Sequence, residues 1–295
     1  MKGLLIVNYS MDRDSFKIVY QMLQDAATKQ GILLEQYTNA EIIIELEKNP
    51  DFFVDKKTRP DFVIFWDKDV CIGKLIESYG IRLFNSSEAM LLCDDKARTY
   101  IKLREHDIKM PKTILIPMSF SNIDWNNSQF LKEIDKYLEY PLVLKECYGS
   151  FGEQVYYISS LEELVKKMNS VGNKPMIIQE YIESSKGRYI RIYVVGGKVV
   201  ASVYRYPKDN DFRTRVTKGC KIEEYTPNKE QRDMAVKVCE YLGLDYGGVD
   251  ILFDKDESPI LCEVNSNAQF KYVLKYAGIN VAEYIISYIC EIMKK

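Results

Sequence analysis

Histidine is almost absent from this 295-residue chain: His106 stands alone. One imidazole cannot build a His-ligated zinc centre. A Ser-His-Asp relay would have to run through His106, whose setting, "LREHDIKMP", reads as a solvated side chain at a helix end. The seven cysteines are odd in number, widely spaced and never in a CxxC pair, so the expectation is core filler in a reducing cytosol. Long apolar runs are missing too. The opening "MKGLLIVNYSMDRD" is too short in its apolar part for a signal peptide and is followed by no small-residue cleavage pattern. In the tail "VAEYIISYICEIMKK", Glu283 and Glu291 break the run, which makes it an amphipathic closing helix rather than a span. Nor does one sign of charge dominate. Forty-one basic and 43 acidic side chains give a net charge of −2, which argues against general nucleic-acid or membrane binding and leaves room only for a local basic patch.

What is present falls into two textures. The first hundred residues alternate short apolar runs ("GLLIVNY", "ILLEQY", "DFVIFW", "IRLFN") with helical stretches, including "VCIGKLIESYG" closed by Gly80 and "SSEAMLLCDDKARTYIKLREHD". That alternation predicts a parallel open sheet with helices on its faces, an α/β arrangement. No GxGxxG follows the first strand, so the dinucleotide fingerprint is absent. From about Pro111 onward, strands such as "PLVLKEC", "PMIIQEYI" and "YIRIYVVGGKVVASVYRY" are joined by hairpin-like turns, with helices near 127–139, 160–169 and 228–242. This predicts an α+β region of antiparallel sheet, with a hairpin at Gly196-Gly197.

The chemistry concentrates in "GGVDILFDKDESPILCEVNSN". Two apolar strands flank the polar turn "DKDE", and an antiparallel register about that turn sets Asp250 opposite Glu263. Alternation then places Asp250, Leu252, Leu261, Glu263 and Asn265 on one face, and Val249, Ile251, Ile260, Cys262 and Val264 on the other. Like charges opposite each other on a half-buried sheet repel, so one carboxylate is protonated or a cation compensates. The donors are hard oxygens, which points to Mg²⁺ or Mn²⁺ with an incomplete protein shell open to phosphate oxygens. A surface hairpin with solvated carboxylates is the competing reading, and the apolar flanks argue against it.

Three weaker signals accompany it. In "LVLKECYGSFGEQVYYI", Lys145 ends an apolar strand and Gly149 and Gly152 sit in a small-residue loop. It is not a Walker A loop; it is either a plain hairpin or a flap covering phosphates. A strand ending in Glu180-Tyr181-Ile182 offers backbone groups to a flat heterocycle, as many buried strands do. Arg188, Arg191, Arg205, Arg213 and Arg215, with Lys218, form either a solvated face or a set of bidentate phosphate or carboxylate binders.

Taken in order, "DDKARTYIKLREHDIKMPKT", "PLVLKECYGSFGEQV", "QEYI…GRYIRIYVVGGKVVASVYR", "DFRTRV…G" and "GVDIL…CEVNSN" resemble the RimK-like branch of the ATP-grasp superfamily over nearly the whole chain. The resemblance implies an ATP-grasp fold with an N-terminal parallel-sheet domain (1–95), a central lid (96–180) and a C-terminal domain (181–295). It implies that Lys96 and Lys145 contact ATP phosphates, Lys145 with a catalytic part, while the loop of Gly149, Ser150 and Gly152 closes over them. Gln179, Glu180, Tyr181 and Ile182 would meet the adenine, and Asp250, Glu263 and Asn265 would hold Mg²⁺ or Mn²⁺. Arg191 and Arg213 would bind substrate or steady the transferred phosphoryl group.

The chain also departs from the pattern. Tyr189 stands where an Asp is usual, which passes the ribose contact to Glu183 or Ser184 or removes it. Arg213-Thr214-Arg215 replaces Arg-Ser-Asn, and "NSNAQF" replaces a continuation into Pro-Gly. The implied activity is carboxylate–amine ligation through an acyl phosphate, adding a glutamate-like amino acid to an amine or peptide acceptor. A ligase that ties side chains of a ribosomal precursor peptide and a non-catalytic ATP-binding module are the alternatives. The partners expected are small molecules or peptides, with homo-oligomerisation left open.

Overall fold

The computed structural model describes residues 1–294 except 12, 43–58, 121–123, 127–128, 135, 150–151 and 208–219. Three sheets follow one another along the chain. The first comprises β1 (Lys2–Val7), β2 (Leu33–Thr38), β3 (Phe62–Trp66) and β4 (Arg82–Phe84), all parallel in the order β2-β1-β3-β4. β3 is buried at every position, as a strand covered on both faces must be. Helices Asp14–Lys29 and Val70–Ser78 make the crossovers.

The helical material after β4 is two helices rather than one, Ser87–Asp94 and Lys96–Leu103. Asp95 breaks it. Its backbone is extended, and its carboxylate accepts from the backbone N–H groups of Ala97 (2.9 Å) and Arg98 (3.3 Å), capping the second helix. Lys96 is thereby fixed at that helix's first position. His106, expected to be solvated, is half-buried and stacks on Tyr241 with ring centroids 3.6 Å apart. An imidazole at a helix end finds more contact area on a neighbouring phenol than in water.

The second sheet contains β5 (Thr113–Leu115), β6 (Leu142–Glu146), β7 (Val155–Ile158) and β8 (Met176–Glu180), antiparallel in the order β5-β8-β6-β7. The third contains β9 (Tyr189–Val195), β10 (Lys198–Tyr206), β11 (Lys221–Glu224), β12 (Tyr246–Phe253) and β13 (Pro259–Asn265), antiparallel in the order β11-β10-β9-β12-β13. β9 and β10 form the expected hairpin, with Gly196 (φ 55°) and Gly197 (φ 73°) both left-handed as a tight two-residue turn requires.

The cores are not distributed one per sheet. Leu5, Ile64 and Trp66 of the first sheet share a cluster with Tyr193, Val203 and Tyr246 of the third and with Ile285 and Ile289 of the closing helix Val281–Met293. A second cluster lies under β12 and β13 and includes Ile190, Val249, Ile251, Leu261 and Val264. The central sheet packs its own, with Leu142, Leu144, Ile158, Leu164 and Ile178. Among the described residues no helix is long and apolar enough to cross a membrane, and all seven cysteines are free thiols.

Candidate active site

A cleft of about 520 Å³ opens between the second and third sheets and reaches the carboxyl ends of β1 and β3. At its deep end the pairing is as expected: Asp250 lies opposite Glu263 on β13 and opposite Arg191 on β9. Arg191 grips Asp250 with two hydrogen bonds of 2.6 Å each, Nε to Oδ1 and Nη2 to Oδ2. Glu263 has Lys96 Nζ at 3.8 Å. The cationic compensation that opposed carboxylates require is therefore partly built into the chain itself.

One part of the expected facing is corrected. The register slips between Asp250 and Ile251, so that Ile251 pairs with Leu261 and Leu252 with Ile260. A bulge at this point adds one residue to β13. Leu261 consequently joins Val249, Ile251 and Val264 in the core, while Cys262 faces the cleft with Leu252. Burial pushes the Cys262 thiol up, against the opposing pull of Lys145. It is a poor nucleophile here.

Lys145, at the penultimate position of β6, is almost fully buried and lines the same end. Burial alone would draw its ammonium down, but Cys262, Tyr100, Glu263 and Asp250 hold it above its ordinary value, so it remains charged. Glu263 shows the mirror case. Burial would raise its carboxyl, and Lys96, Lys145, Arg191 and Lys68 outweigh that and hold it below the ordinary range. Lys96 Nζ also lies 3.4 Å from the Gly149 carbonyl, which ties the glycine loop to this cluster. A Cβ at Gly149 would sit 2.7 Å from Gln154 Oε1 and 2.9 Å from its Cβ, so a larger residue there would require Gln154 to shift. Gly152 (φ 67°) lines the cleft, whereas Ser150 lies outside the described residues.

Gln179, Glu180, Tyr181 and Ile182 line the cleft as β8 leaves its sheet. The Gln179 amide donates to Thr113 Oγ1 (2.8 Å), and the Glu180 carboxylate accepts from Lys112 N (2.8 Å). Glu183 starts a short 3₁₀ turn and is not among the lining residues. Ser184 donates its hydroxyl proton to the Phe253 carbonyl (2.8 Å), so that donor is committed. Tyr189, half-buried, accepts from the buried Arg205 Nη1 (3.0 Å), and both line the cleft with Arg191. Arg188 pairs with Glu257 at 2.6 Å. Arg213, Arg215 and Lys218 lie outside the described residues.

Sequence reasoning missed the wall formed by the first sheet. Asn8 follows β1, and Asp67 and Lys68 follow β3. Lys68 pairs with Asp94 at 3.1 Å, and that carboxylate holds its ammonium above the ordinary value. The signal was there: polar residues at the carboxyl ends of parallel strands are where open α/β sheets bind ligands. Asn267 and Gln269, just past β13, were missed as well.

The oxygen donors fit a hard divalent cation. Asp250, Glu263 and Asn265 all face the cleft, and the Asn265 Nδ2 is buried without a partner among the described residues. Arg191 engages both Asp250 oxygens, but each oxygen keeps a second lone pair. Among the described residues no three His, Cys, Asp or Glu side chains could enclose an ion by themselves. A cation held here would complete its shell with oxygens from outside the chain, as Mg²⁺ commonly does with substrate phosphates.

Comparison with known proteins decides the family. The model of the RimK-like ATP-grasp domain matches residues 93–289, two-thirds of the chain. The chain belongs to the RimK-like ATP-grasp family. It is thus an ATP-grasp ligase, of the class that converts ATP to ADP in forming carbon–nitrogen bonds. The "Uncharacterized protein MG012" of Mycoplasma genitalium is 35% identical over 75% of this chain and 77% of its own. Alpha-aminoadipate–LysW ligase LysX of Saccharolobus solfataricus is 30% identical over 75% and 78%. Beta-citrylglutamate synthase B of Danio rerio is 30% identical over 77% of this chain but 55% of its own length. Among solved structures, a RimK domain ATP-grasp protein from Sphaerobacter thermophilus superposes with a TM-score of 0.74 at 18% identity, covering 98% of this chain and 99% of the other. The ATP-grasp ligase PsnB with its minimal precursor gives 0.73 at 15%, covering 99% of each. At such identities these two show the shared fold. D-alanine–D-alanine ligase from Bacillus anthracis, with a TM-score of 0.74 at 18% identity, was captured with ATP, and PsnB also with its minimal precursor, Mg and ADP.

Proposed function

We propose that the protein activates a small-molecule carboxylate with ATP and joins it to an amine or peptide acceptor, with a glutamate-like amino acid as one partner. The observation that carries this reading is the deep end of the cleft. There Lys145 and Arg191 line the cleft together with Asp250 and Glu263, Arg191 pairs with Asp250, and Lys96 approaches Glu263 to 3.8 Å without lining the cleft itself. Such a cluster suits the triphosphate end of ATP and a transferring phosphoryl group. Gln179 to Ile182, between the second and third sheets, would take the adenine. The glycine loop from 149 to 152 would cover the phosphates. Arg213 would join Arg191 on the substrate. We assign 1–95, 96–180 and 181–295 as the N-terminal, lid and C-terminal domains.

In this reading a substrate carboxylate oxygen attacks the γ-phosphorus, the bond to the ADP oxygen breaks, and an acyl phosphate forms. An amine nitrogen then attacks the acyl carbon, phosphate leaves, and the nitrogen gives up a proton. Mg²⁺ (or Mn²⁺), held by Asp250, Glu263 and Asn265, supplies Lewis-acid neutralisation of phosphate charge when bound. The chain's part is positioning and charge. Lys145 and Lys96 offset the negative charge on the phosphoryl oxygens, Arg191 orients the carboxylate, and the closing loop excludes water that would hydrolyse the acyl phosphate. No covalent nucleophile is required.

The test is ADP and phosphate release from Mg-ATP with single amino acids, amino-acid pairs and short acidic peptides, each mixture followed by mass spectrometry. The expected result is carboxylate-dependent release with a product one water lighter than its two substrates. ADP release that never depends on an added carboxylate or amine would overturn the reading.

A further inference from the structure

Asp67, the first residue after β3, lines the cleft and is 7% exposed. Three donors face its carboxylate. Asn8 Nδ2 (3.1 Å) and the backbone N–H of Lys68 (2.7 Å) donate to Oδ1, and Asn39 Nδ2 (2.6 Å) donates to Oδ2. Both amides are oriented from behind. Asn8 Oδ1 accepts from the backbone N–H of Ser10 (2.9 Å), and Asn39 Oδ1 from that of Tyr9 (3.0 Å), so each turns its NH₂ toward Asp67. All three partners are neutral. Among the described residues no cation pairs with Asp67: the adjacent Lys68 ammonium is taken by Asp94 (3.1 Å), and Arg13 and Lys271, which also line the cleft, do not pair with it.

A buried carboxylate with no counter-charge is costly, and folded chains rarely leave one so unless something else completes it. Each carboxylate oxygen has room for about two hydrogen bonds. Oδ1 has both, whereas Oδ2 has only the one from Asn39, so an acceptor site on Oδ2 is open. The group that fills it must donate, which excludes an anion. A second divalent cation does not fit either, since it would meet amide N–H groups where it needs oxygens. The walls nearby are aromatic. Trp66 precedes Asp67, and Phe16, Tyr20 and Tyr272 line the same cleft. Burial and then the Asp67 charge push the Tyr20 hydroxyl up to about 12, which sets that ring close to the carboxylate. Ring faces favour a cationic donor over a neutral one. The ligation itself brings such a group to the cleft, because an aliphatic amine is protonated in neutral water.

We propose that Asp67 binds the ammonium of the acceptor, so that the acceptor presents a primary amine, as a free amino acid or the N-terminal residue of a peptide does. Asn8 and Asn39 are positioning residues that aim the carboxylate. The proposal rests on the ligase reading above, which supplies the amine.

The experiment uses the full chain saturated with Mg-AMPPNP. The standard amino acids, dipeptides built from them and the N-acetyl form of each are titrated by saturation-transfer NMR, in the wild type and in Asp67→Asn and Asn39→Ala. In the wild type the free amine should bind at least about tenfold more tightly than its acetylated form, the scale of one charge-assisted hydrogen bond. Amino acid against dipeptide tells the two sources of the amine apart. Asp67→Asn should erase the preference, because it removes the charge while an amide fills the same space. Asn39→Ala should keep it, since the charge stays. Equal binding of free and acetylated forms in the wild type, binding of neither, or a preference that survives in Asp67→Asn would each overturn the proposal. So would an Asn39→Ala variant that loses the preference as fully as Asp67→Asn, which would trace it to the shape of the wall. Should Asp67→Asn fail to fold, the wild type and Asn39→Ala still decide. AMPPNP binding is read in the same samples: its loss in the wild type would strike the ligase reading, whereas retained nucleotide binding without a preference for the free amine strikes only the role of Asp67.

Discussion

Arg191 and Asp250 face each other across β9 and β12, both largely buried and joined by two 2.6 Å hydrogen bonds. Removing one partner of such a pair strands the other as an unpaired buried charge, at a cost of about 3–5 kcal/mol. Arg191→Met should therefore lower the urea midpoint substantially and reduce ADP release by at least about a hundredfold, the usual scale for losing a preorganised cationic donor. Arg191→Lys should recover part of the stability and little of the activity, since an ammonium cannot reproduce the planar two-point grip. The double variant Arg191→Met/Asp250→Leu should be more stable than Arg191→Met alone, because it removes the stranded carboxylate too. Wild-type melting of Arg191→Met would show that the pair contributes little to the fold.

At the scale of elements, the β9–β10 hairpin gives a comparison between neighbouring glycines. Gly197 has nothing within 4 Å of a would-be Cβ, whereas at Gly196 the Cβ would sit 2.5 Å from the Tyr288 ring. That ring is held in place by its hydroxyl, which donates to Asp245 Oδ1 at 3.1 Å. Gly197→Ala should cost about 1 kcal/mol for its left-handed backbone. Gly196→Ala carries the same term plus overpacking of about 1–3 kcal/mol. Thermal melts that rank the two equally would mean that Tyr288 yields freely. This hairpin and the Asp250–Glu263 register were legible in the sequence because both are local: alternation and a turn set them within some twenty residues. The bulge that turns Cys262 into the cleft was not, since one extra residue in a strand leaves the apolar pattern almost intact. The break at Asp95 was hidden in a continuous helical pattern, although a capping residue stood there. Asn8 and Lys68 were missed for a different reason. They reach the cleft through long-range packing of the first sheet on the third, and no short spacing encodes that.

At the scale of the whole molecule, a shared apolar cluster joins the first and third sheets into one body, while the central sheet packs apart as a second. The first and third sheets share one apolar cluster, and Trp66 of β3 stacks on Tyr246 of β12 with centroids 5.8 Å apart. The central sheet keeps a cluster of its own, which includes Trp125. Asn85, fully buried after β4, locks the shared body. Its amide donates to the carbonyls of Tyr246 (2.9 Å) and Ser266 (3.1 Å) and accepts from the N–H groups of Asp245 (2.7 Å) and Tyr246 (3.1 Å). Asn85→Ala would leave those four backbone groups buried and unpaired, and at about 1–3 kcal/mol per group even partial relaxation leaves a loss of several kcal/mol. The chain's two tryptophans report separately on the two bodies. In Trp125→Phe, the fluorescence of Trp66 follows the shared core; in Trp66→Phe, that of Trp125 follows the central unit. Adding Asn85→Ala should move the Trp66 transition to markedly lower urea and leave the Trp125 transition where it was. If both transitions move together, the central sheet depends on the shared core for its stability. A lid that must open and close over ATP while the rest stays folded would then need another source of independence.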